Sequence, residues 1–177
     1  RISMDLRPGI LDCGIVAAVK WQAKEFCERA RLRYRVSCDS DEIPLDSDLS
    51  VAIFRIFQET LTNISKHANA SRLQIRLSEK DGWIFLEVTD NGCGITDQEM
   101  TKPQSFGIRG MRERCQQLRG SLYITGRPGK GTKVTISIPA NAMEMSSNQP
   151  IDANITLTVL RPTLAENHKN LTKTLQH

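Results

Sequence analysis

The sequence has no long apolar run and no paired cysteines, and both absences narrow the class of protein. No run in the 177 residues approaches the roughly 20 apolar residues that a membrane span requires, and the first residues lack the apolar core of a signal peptide. The five cysteines are odd in number and form no CxxC pair, so we expect reduced thiols and no zinc site. The sequence therefore predicts a soluble, cytoplasmic segment that makes no membrane contact.

Positive charges are in slight excess but do not form a basic run. There are 24 Lys and Arg against 20 Asp and Glu, a net charge of +4, and the basic residues are spread over the sequence. Scattered basic residues give only weak support for binding to a polyanion, so we expect no nucleic acid partner. A content of 39% hydrophobic and 25% charged residues is typical of a globular chain, and the length fits one domain with a short appendage.

The spacing of apolar residues predicts both helices and strands. We expect helices over about 11–31, from Asp46 or Ser47 to His67 or Ala68, and over about 108–118, and strands over 34–38, 73–77, 84–88, 121–125 and 134–138. The helices repeat apolar residues every three or four positions, whereas most of the strands alternate apolar and polar residues. This pattern predicts an α+β fold, a mixed sheet with helices on one face.

The composition changes after residue 139. From Ala140 onward Asn, Ser, Gln and Thr dominate and glycine is absent. We interpret residues 140–177 as a C-terminal extension. Its apolar stretch, residues 155–160, could add an edge strand or dock as a short helix, and the sequence does not decide between them.

The predicted long helix carries two stripes. Phe54, Phe57, Leu61, Ile64 and Ala68 form an apolar stripe, and Glu59, Asn63, Lys66 and His67 form a polar one. The polar stripe is either a solvated helix face or a site. As a site, Asn63 would offer a hard oxygen to Mg²⁺, Glu59 would orient its water and Lys66 would pair with phosphate.

Two polar residues are predicted to point into the apolar layer of the sheet. Asp90 shares strand parity with Ile84, Leu86 and Val88, and Thr132 shares it with Val134, Ile136 and Ile138. A buried carboxylate requires a partner. Asp90 either caps the glycine-rich turn that follows or meets the amino group of a flat ligand.

A third feature is the segment 106–111 (FGIRGM), which follows a polar loop over 96–105 and opens a helix. Glycines there would let a phosphate group come close to the free backbone N–H groups at the start of the helix, which bind anions. The sequence has no GxxxxGK[ST] motif and no GxGxxG motif between a strand and a helix, which argues against P-loop and Rossmann proteins.

Four segments taken in order resemble the N box, G1 box, G2 box and GT element of the GHKL ATPase superfamily. They are residues 59–67, 90–95, 106–111 and 129–132. The resemblance implies the Bergerat fold, a two-layer α/β sandwich with a short ATP lid. Residues 106–114 (FGIRGMRER), the short lid and residues 6–12 (LRPGILD) look like the ATP-binding domain of NarX/DesK-type sensor histidine kinases.

The resemblance also implies roles for particular residues, with ATP and Mg²⁺ as cofactors. Asn63 would hold Mg²⁺, Glu59 would orient metal-bound water or act as a base, and Lys66 would touch phosphate. Asp90 would accept the adenine amino group, with Thr132 supporting it through water. The other implied nucleotide-binding residues are His67, Gly92, Gly94, Ile95, Gly107, Ile108, Gly110 and Met111.

The same resemblance implies partners and domain limits. Such kinases carry a phosphoacceptor histidine on a dimerising helical pair ahead of the ATP domain and relay phosphate to a response regulator. We therefore expect residues 1–9 to be a remnant of that helix and a linker, and residues 10–139 to be the ATP-binding domain. The isolated chain is expected to be monomeric and not competent for autophosphorylation.

Two other functions remain open at this stage. A nucleotide-binding switch or interaction module of the superfamily would need no metal ligand, so the pair Glu59 and Asn63 favours the kinase. A nucleic-acid-associated ATPase is disfavoured by the short lid and the scattered basic residues.

Overall fold

Five strands and four α-helices are seen in a computed structural model, which describes residues 9–101 and 106–142. The elements are a 3-10 helix Gly9–Cys13, α1 Ile15–Ala30, β1 Arg33–Cys38, α2 Ser47–Asn63 with a π-helical extension Ile64–Ala68, β2 Arg72–Lys80, β3 Trp83–Asp90, α3 Asp97–Thr101, α4 Phe106–Gln117, β4 Ser121–Arg127 and β5 Gly131–Pro139. These residues all belong to one unit, Arg1–Met145. Most of the predicted extension 140–177, including its apolar stretch, lies outside the described residues.

The strands form one mixed sheet in the order β1-β2-β3-β5-β4. Strand β1 runs parallel to β2, and every other neighbouring pair is antiparallel. The parallel pair is joined through α2, whereas short turns join β2 to β3 and β4 to β5. The predicted α+β class with a mixed sheet is confirmed.

The core lies between the helices and one face of the sheet. The alternating residues of β2 and β3 that were predicted to face inward are buried: Leu73, Ile75, Leu77, Ile84, Leu86 and Val88. They pack against the apolar stripe of α2, whose five predicted members are all buried. Burial of such side chains stabilises a domain by about 1.5–3 kcal/mol each, so this layer fixes where the ends of the strands lie.

Helix α2 begins and ends as the sequence predicts. Asp46 caps it by accepting hydrogen bonds from the N–H groups of Asp48 (2.6 Å) and Leu49 (3.1 Å). The last turn, Ile64–Ala68, is π-helical, and Asn69 ends it in the left-handed conformation with φ 48°. A π-helical turn is wider than an α-helical one and is frequent at functional sites.

Three predicted boundaries differ from the structure. The first helix is broken at Gly14, whose φ of 87° lies outside the helical region, so α1 begins only at Ile15. On the inner face of α1, Cys27 is buried and Phe26 is half-buried against the core, whereas Ala30 is exposed. Part of the predicted polar loop is helical, as α3.

Helix α4 begins at Phe106, two residues before the predicted start. Gly107 therefore lies in the first turn of the helix. In the described part of the chain, no helix has the length and apolar character needed to cross a membrane.

Candidate nucleotide-binding site

Asp90 closes β3 and faces the core layer, as its parity predicts. It is 5% exposed. Its Oδ1 accepts a hydrogen bond from the Gly92 N–H at 2.7 Å, which is the turn-capping role that the sequence left open. Oδ2 has no partner among the described residues, so one carboxylate oxygen remains available to a donor from a ligand. Capping and ligand binding are thus compatible.

Thr132 lies on the strand next to Asp90. The register that pairs Thr89 with Lys133 brings Asp90 opposite Thr132 when continued by one residue. Side chains directly opposite each other on one face of an antiparallel pair have Cβ atoms about 5 Å apart. Thr132 is half-buried, so the structure brings these two predicted site residues together.

The loop after Asp90 is clamped by backbone hydrogen bonds from two sides. The Cys93 N–H donates to the Ala68 carbonyl at 2.7 Å, and the Gly129 N–H donates to the Cys93 carbonyl at 2.7 Å. A Cβ at Gly92 would overlap the carbonyl of Ala68. The π-helical end of α2 therefore touches this loop directly.

Glycines also allow the turn between β4 and β5 to reach the loop. Gly94 has φ 81° and Gly131 has φ 84°, values that favour glycine. A Cβ at Gly94 would overlap the Arg127 carbonyl, and one at Gly131 would overlap the Asp90 carbonyl. These backbone contacts surround the end of β3 at Asp90, and we call the region that they frame the slot.

The polar stripe of α2 divides into two parts. Glu59 and Asn63 are half-buried, whereas Lys66 and His67 are exposed on the π-helical turn. A Cβ at Gly107 would overlap Glu59 Oε1 and would lie 3.4 Å from Asn63 Oδ1. The two oxygens therefore converge on the first turn of α4, and the glycine leaves room for them.

The residues predicted on α4 differ in position. Gly107, Ile108 and Gly110 are half-buried. The Met111 side chain is 1% exposed and lies in the core, where its sulfur is 3.5 Å from the Thr60 hydroxyl. A contact between Met111 and nucleotide could therefore involve only its backbone.

Ile95 packs against Gly126, near the end of β4 that leads into the turn between β4 and β5. A Cβ at Gly126 would stand 2.8 Å from both the Ile95 Cγ2 and its N. Ile95 is half-buried, and it thus fixes the distance between the glycine-rich loop and β4.

The sequence analysis missed Asn91. Its Oδ1 accepts hydrogen bonds from the N–H groups of Ser71 (3.0 Å) and Arg72 (2.8 Å), and its Nδ2 donates to the Ser71 hydroxyl at 3.0 Å. Asn91 thereby ties the loop to the start of β2. Asn is favoured where a side chain replaces a backbone partner, but only the fold reveals which partner it finds.

The donor set suits a hard cation. Glu59 and Asn63 supply one carboxylate and one amide oxygen at one place, and Mg²⁺ prefers few protein oxygens together with water and phosphate. Among residues 9–101 and 106–142 no three His, Cys, Asp or Glu residues cluster in a way that would hold a metal ion.

The thiols give a test of the site's accessibility. Cys93 is exposed in the clamped loop, and Cys27 and Cys115 are buried. Burial raises the pKa of Cys27 and of Cys115 to about 11, so at pH 8 only about one thiol in a thousand is the reactive thiolate.

We expect iodoacetamide at pH 8 to label Cys93 and to leave Cys27 and Cys115 unmodified, as read by mass spectrometry of peptides. Saturating ATP should slow labelling of Cys93 but not of the exposed Cys13, which lies outside the site. Equal slowing at both cysteines would contradict the location of the site.

Comparison with known proteins identifies the family. The chain belongs to the family described as histidine kinase-, DNA gyrase B- and HSP90-like ATPase, whose model matches residues 48–142. That range contains α2, the glycine-rich loop, α4 and the β4–β5 hairpin, so it covers every residue of the site described above. Membership of this ATPase family implies ATP binding.

Two curated relatives are sensor kinases. The chain is 35% identical over 145 residues to the signal transduction histidine-protein kinase/phosphatase DegS of Brevibacillus brevis, covering 81% of this chain and 37% of that protein. It is 32% identical over 155 residues to the sensor histidine kinase MctS of Rhizobium johnstonii, covering 86% of this chain and 32% of that protein. The chain thus spans about a third of the length of these relatives.

Solved structures agree on the fold. A blue-light activated histidine kinase of Erythrobacter litoralis matches with a TM-score of 0.65 at 25% identity, covering 75% of this chain and 43% of that one. The histidine kinase AdeS of Acinetobacter baumannii matches with a TM-score of 0.58 at 20% identity, covering 72% and 64%. The chain therefore carries an ATP-binding domain of the histidine kinase type.

Proposed function

We propose that this chain is the catalytic ATP-binding domain of a sensor histidine kinase, which transfers the γ-phosphoryl group of ATP to a histidine on a dimerisation domain for relay to a response regulator. One observation supports this most: the domain has both a buried carboxylate with one available oxygen, at Asp90, and a separate pair of oxygens, from Glu59 and Asn63. In this proposal the domain acts in the cytoplasm.

Adenine recognition follows from the slot at Asp90. The available Oδ2 would accept a hydrogen bond from the adenine amino group, and Gly92 and Gly94 place no side chains beside the ring. Guanine carries a carbonyl oxygen in place of that amino group, so it would place an acceptor against the carboxylate. Because burying an unpaired polar atom costs about 1–3 kcal/mol, we expect selectivity for ATP over GTP.

The phosphate end lies between α2 and α4. Exposed Lys66 would pair with phosphate oxygens, and the free N–H groups of the first turn of α4 would bind them further. Asn63 and Glu59 would hold Mg²⁺, which when bound neutralises charge on the phosphates. Glu59 would accept a hydrogen bond or proton from the attacking group as the γ-phosphoryl leaves ATP.

Transfer can be tested directly with γ-labelled ATP. We expect this chain, mixed with a phosphoacceptor helical fragment of a relative such as DegS, to place acid-labile, alkali-stable phosphate on the fragment's histidine. Asn63→Ala should abolish transfer, and Ser65→Ala, at an exposed neighbour, should not. The chain is a nucleotide-binding switch if it binds ATP in calorimetry yet phosphorylates neither a fragment of its own proposed dimerisation domain nor one from a relative.

The metal ligand gives a separate prediction. We expect Asn63→Ala to weaken binding of Mg-ADP about tenfold, which corresponds to about 1.4 kcal/mol, and to leave binding of metal-free ADP nearly unchanged. Calorimetric titrations with Mg²⁺ and with EDTA measure the difference, and Ser65→Ala serves as the matched control. Equal weakening in both titrations would give Asn63 a structural role only.

A further inference from the structure

The face of the sheet opposite to the helices carries an excess of positive charge at one end. Its residues follow the strand register in rows: Arg33 and Arg72; then Arg35, Gln74, Thr89 and Lys133; then Ser37, Arg76, Glu87 and Thr135. We call these residues the basic sheet face. They alternate with the core residues along each strand, so they cannot take part in the helix-covered core.

Two acidic residues on or beside this face are already paired. Arg76 Nη2 lies 3.3 Å from both carboxylate oxygens of Asp39, and Lys133 Nζ lies 2.8 Å from Glu87 Oε1. Arg33, Arg35 and Arg72 are exposed, and their guanidinium groups have no partner among the described residues. Three positive charges therefore remain uncompensated on one face.

The basic sheet face is concave at its centre. A depression of about 250 Å³ is lined by Arg35, Ser37, Gln74, Ile75, Arg76, Glu87 and Thr89. Gln74 and Thr89 bring to its floor an amide and a hydroxyl group whose side chains have no hydrogen-bond partner among the described residues. The depression combines charge with hydrogen-bonding groups, as recognition of a peptide requires.

We propose that the basic sheet face binds an extended acidic segment of a partner protein. Arg33 and Arg35 lie two residues apart on the edge strand β1, a spacing of about 6.6 Å that matches the i, i+2 spacing of carboxylates on an extended peptide. Arg–carboxylate pairs are often bidentate, which gives such a contact geometric specificity.

Dimensions and chemistry fit a peptide. A peptide running along β1 would pass all three rows, from Arg33 to Ser37, a distance of about 13 Å at about 3.3 Å per residue, which about five extended residues span. Glu87 lines the depression with its Oε1 paired to Lys133, and an ionised carboxylate only accepts hydrogen bonds. A peptide brings N–H donors for that carboxylate, whereas a phosphodiester backbone brings acceptors only and would be repelled.

This surface is independent of the nucleotide site. Thr89 points to the basic sheet face, whereas its neighbour Asp90 points to the core layer, so both sites can be filled together. Binding at the basic sheet face therefore does not depend on whether the chain transfers phosphate.

Fluorescence anisotropy tests the inference with the full chain and a labelled short peptide of alternating Glu and Ser, against the same peptide with Gln replacing Glu. We expect binding of the Glu peptide only, weakened at least about tenfold by Arg35→Glu and less than about twofold by Lys24→Glu, an equal charge change on α1. Raising salt from about 50 to about 300 mM should weaken it further. Saturating ATP and Asp90→Asn should leave it unchanged.

Three results would overturn the proposal. They are absence of binding, equal loss in Arg35→Glu and Lys24→Glu, and tighter binding of a single-stranded oligonucleotide that Arg35→Glu abolishes. The last result would instead assign the face to nucleic acid. Thermal melting of both variants checks that the exposed substitutions leave the fold intact.

Discussion

Asp90→Asn should weaken ATP binding about 30- to 100-fold, equivalent to about 2–3 kcal/mol. The amide of the variant can still accept the hydrogen bond from the Gly92 N–H, which the structure gives to Oδ1, so the turn should survive. The second carboxylate oxygen becomes an NH₂ group. That group would point a donor at the adenine amino group, and the two donors would have no acceptor between them.

Calorimetry with ATP and GTP measures this effect. We expect the substitution to reduce the preference for ATP over GTP, since guanine offers an acceptor to the new amide. Asp41→Asn, at a surface carboxylate that pairs with Lys20, is the matched control and should bind as the parent does. A variant that melts at the parent's temperature and binds ATP within a factor of two would remove Asp90 from the binding site.

Gly131→Ala should destabilise the domain by about 2–4 kcal/mol. The added Cβ would meet the backbone carbonyl of Asp90, which cannot move without breaking the β3–β5 pairing, and the residue has φ 84° besides. A left-handed conformation alone costs a non-glycine residue about 1–2 kcal/mol. The remainder comes from the overlap.

Gly129→Ala separates the two contributions. Gly129 lies in the same turn with φ 70°, but nothing lies within 4 Å of a Cβ placed there. We expect a loss of only about 1 kcal/mol in this control. Chemical denaturation of both variants gives the comparison, and equal losses would show that the contact between Gly131 and Asp90 does not matter.

Strand parity was enough to find the most informative candidate site residue. Asp90 was predicted to face the apolar layer because it follows Ile84, Leu86 and Val88 at alternate positions, and it is buried there. The burial of the apolar stripe of α2 was predicted for the same reason, because apolar residues recur regularly along one face of a long helix. Local periodicity therefore predicted the sheet, the core face and the inward orientation of Asp90 at the slot.

Contacts between segments distant in sequence could not be predicted. Gly131 lies against the Asp90 carbonyl, and Asn91 accepts a hydrogen bond from the Ser71 N–H. In both cases the partner is distant in the sequence. Met111 sits within a glycine-rich motif, yet the helix phase turns its side chain to Thr60. The break at Gly14 was missed because the apolar spacing continues across it, and only the backbone dihedral reveals it.

The clamped loop has a consequence for folding. Its hydrogen bonds join Ala68, Cys93 and Gly129, which are distant in the sequence, so a fragment that lacks any of the three cannot form the clamped loop. Forming such long-range contacts late is expected where loop closure is costly. A ligand at a hundred times its Kd would stabilise the native state by about 2.7 kcal/mol. Bound ATP would thus raise the folded fraction of destabilised variants of this domain that still bind it.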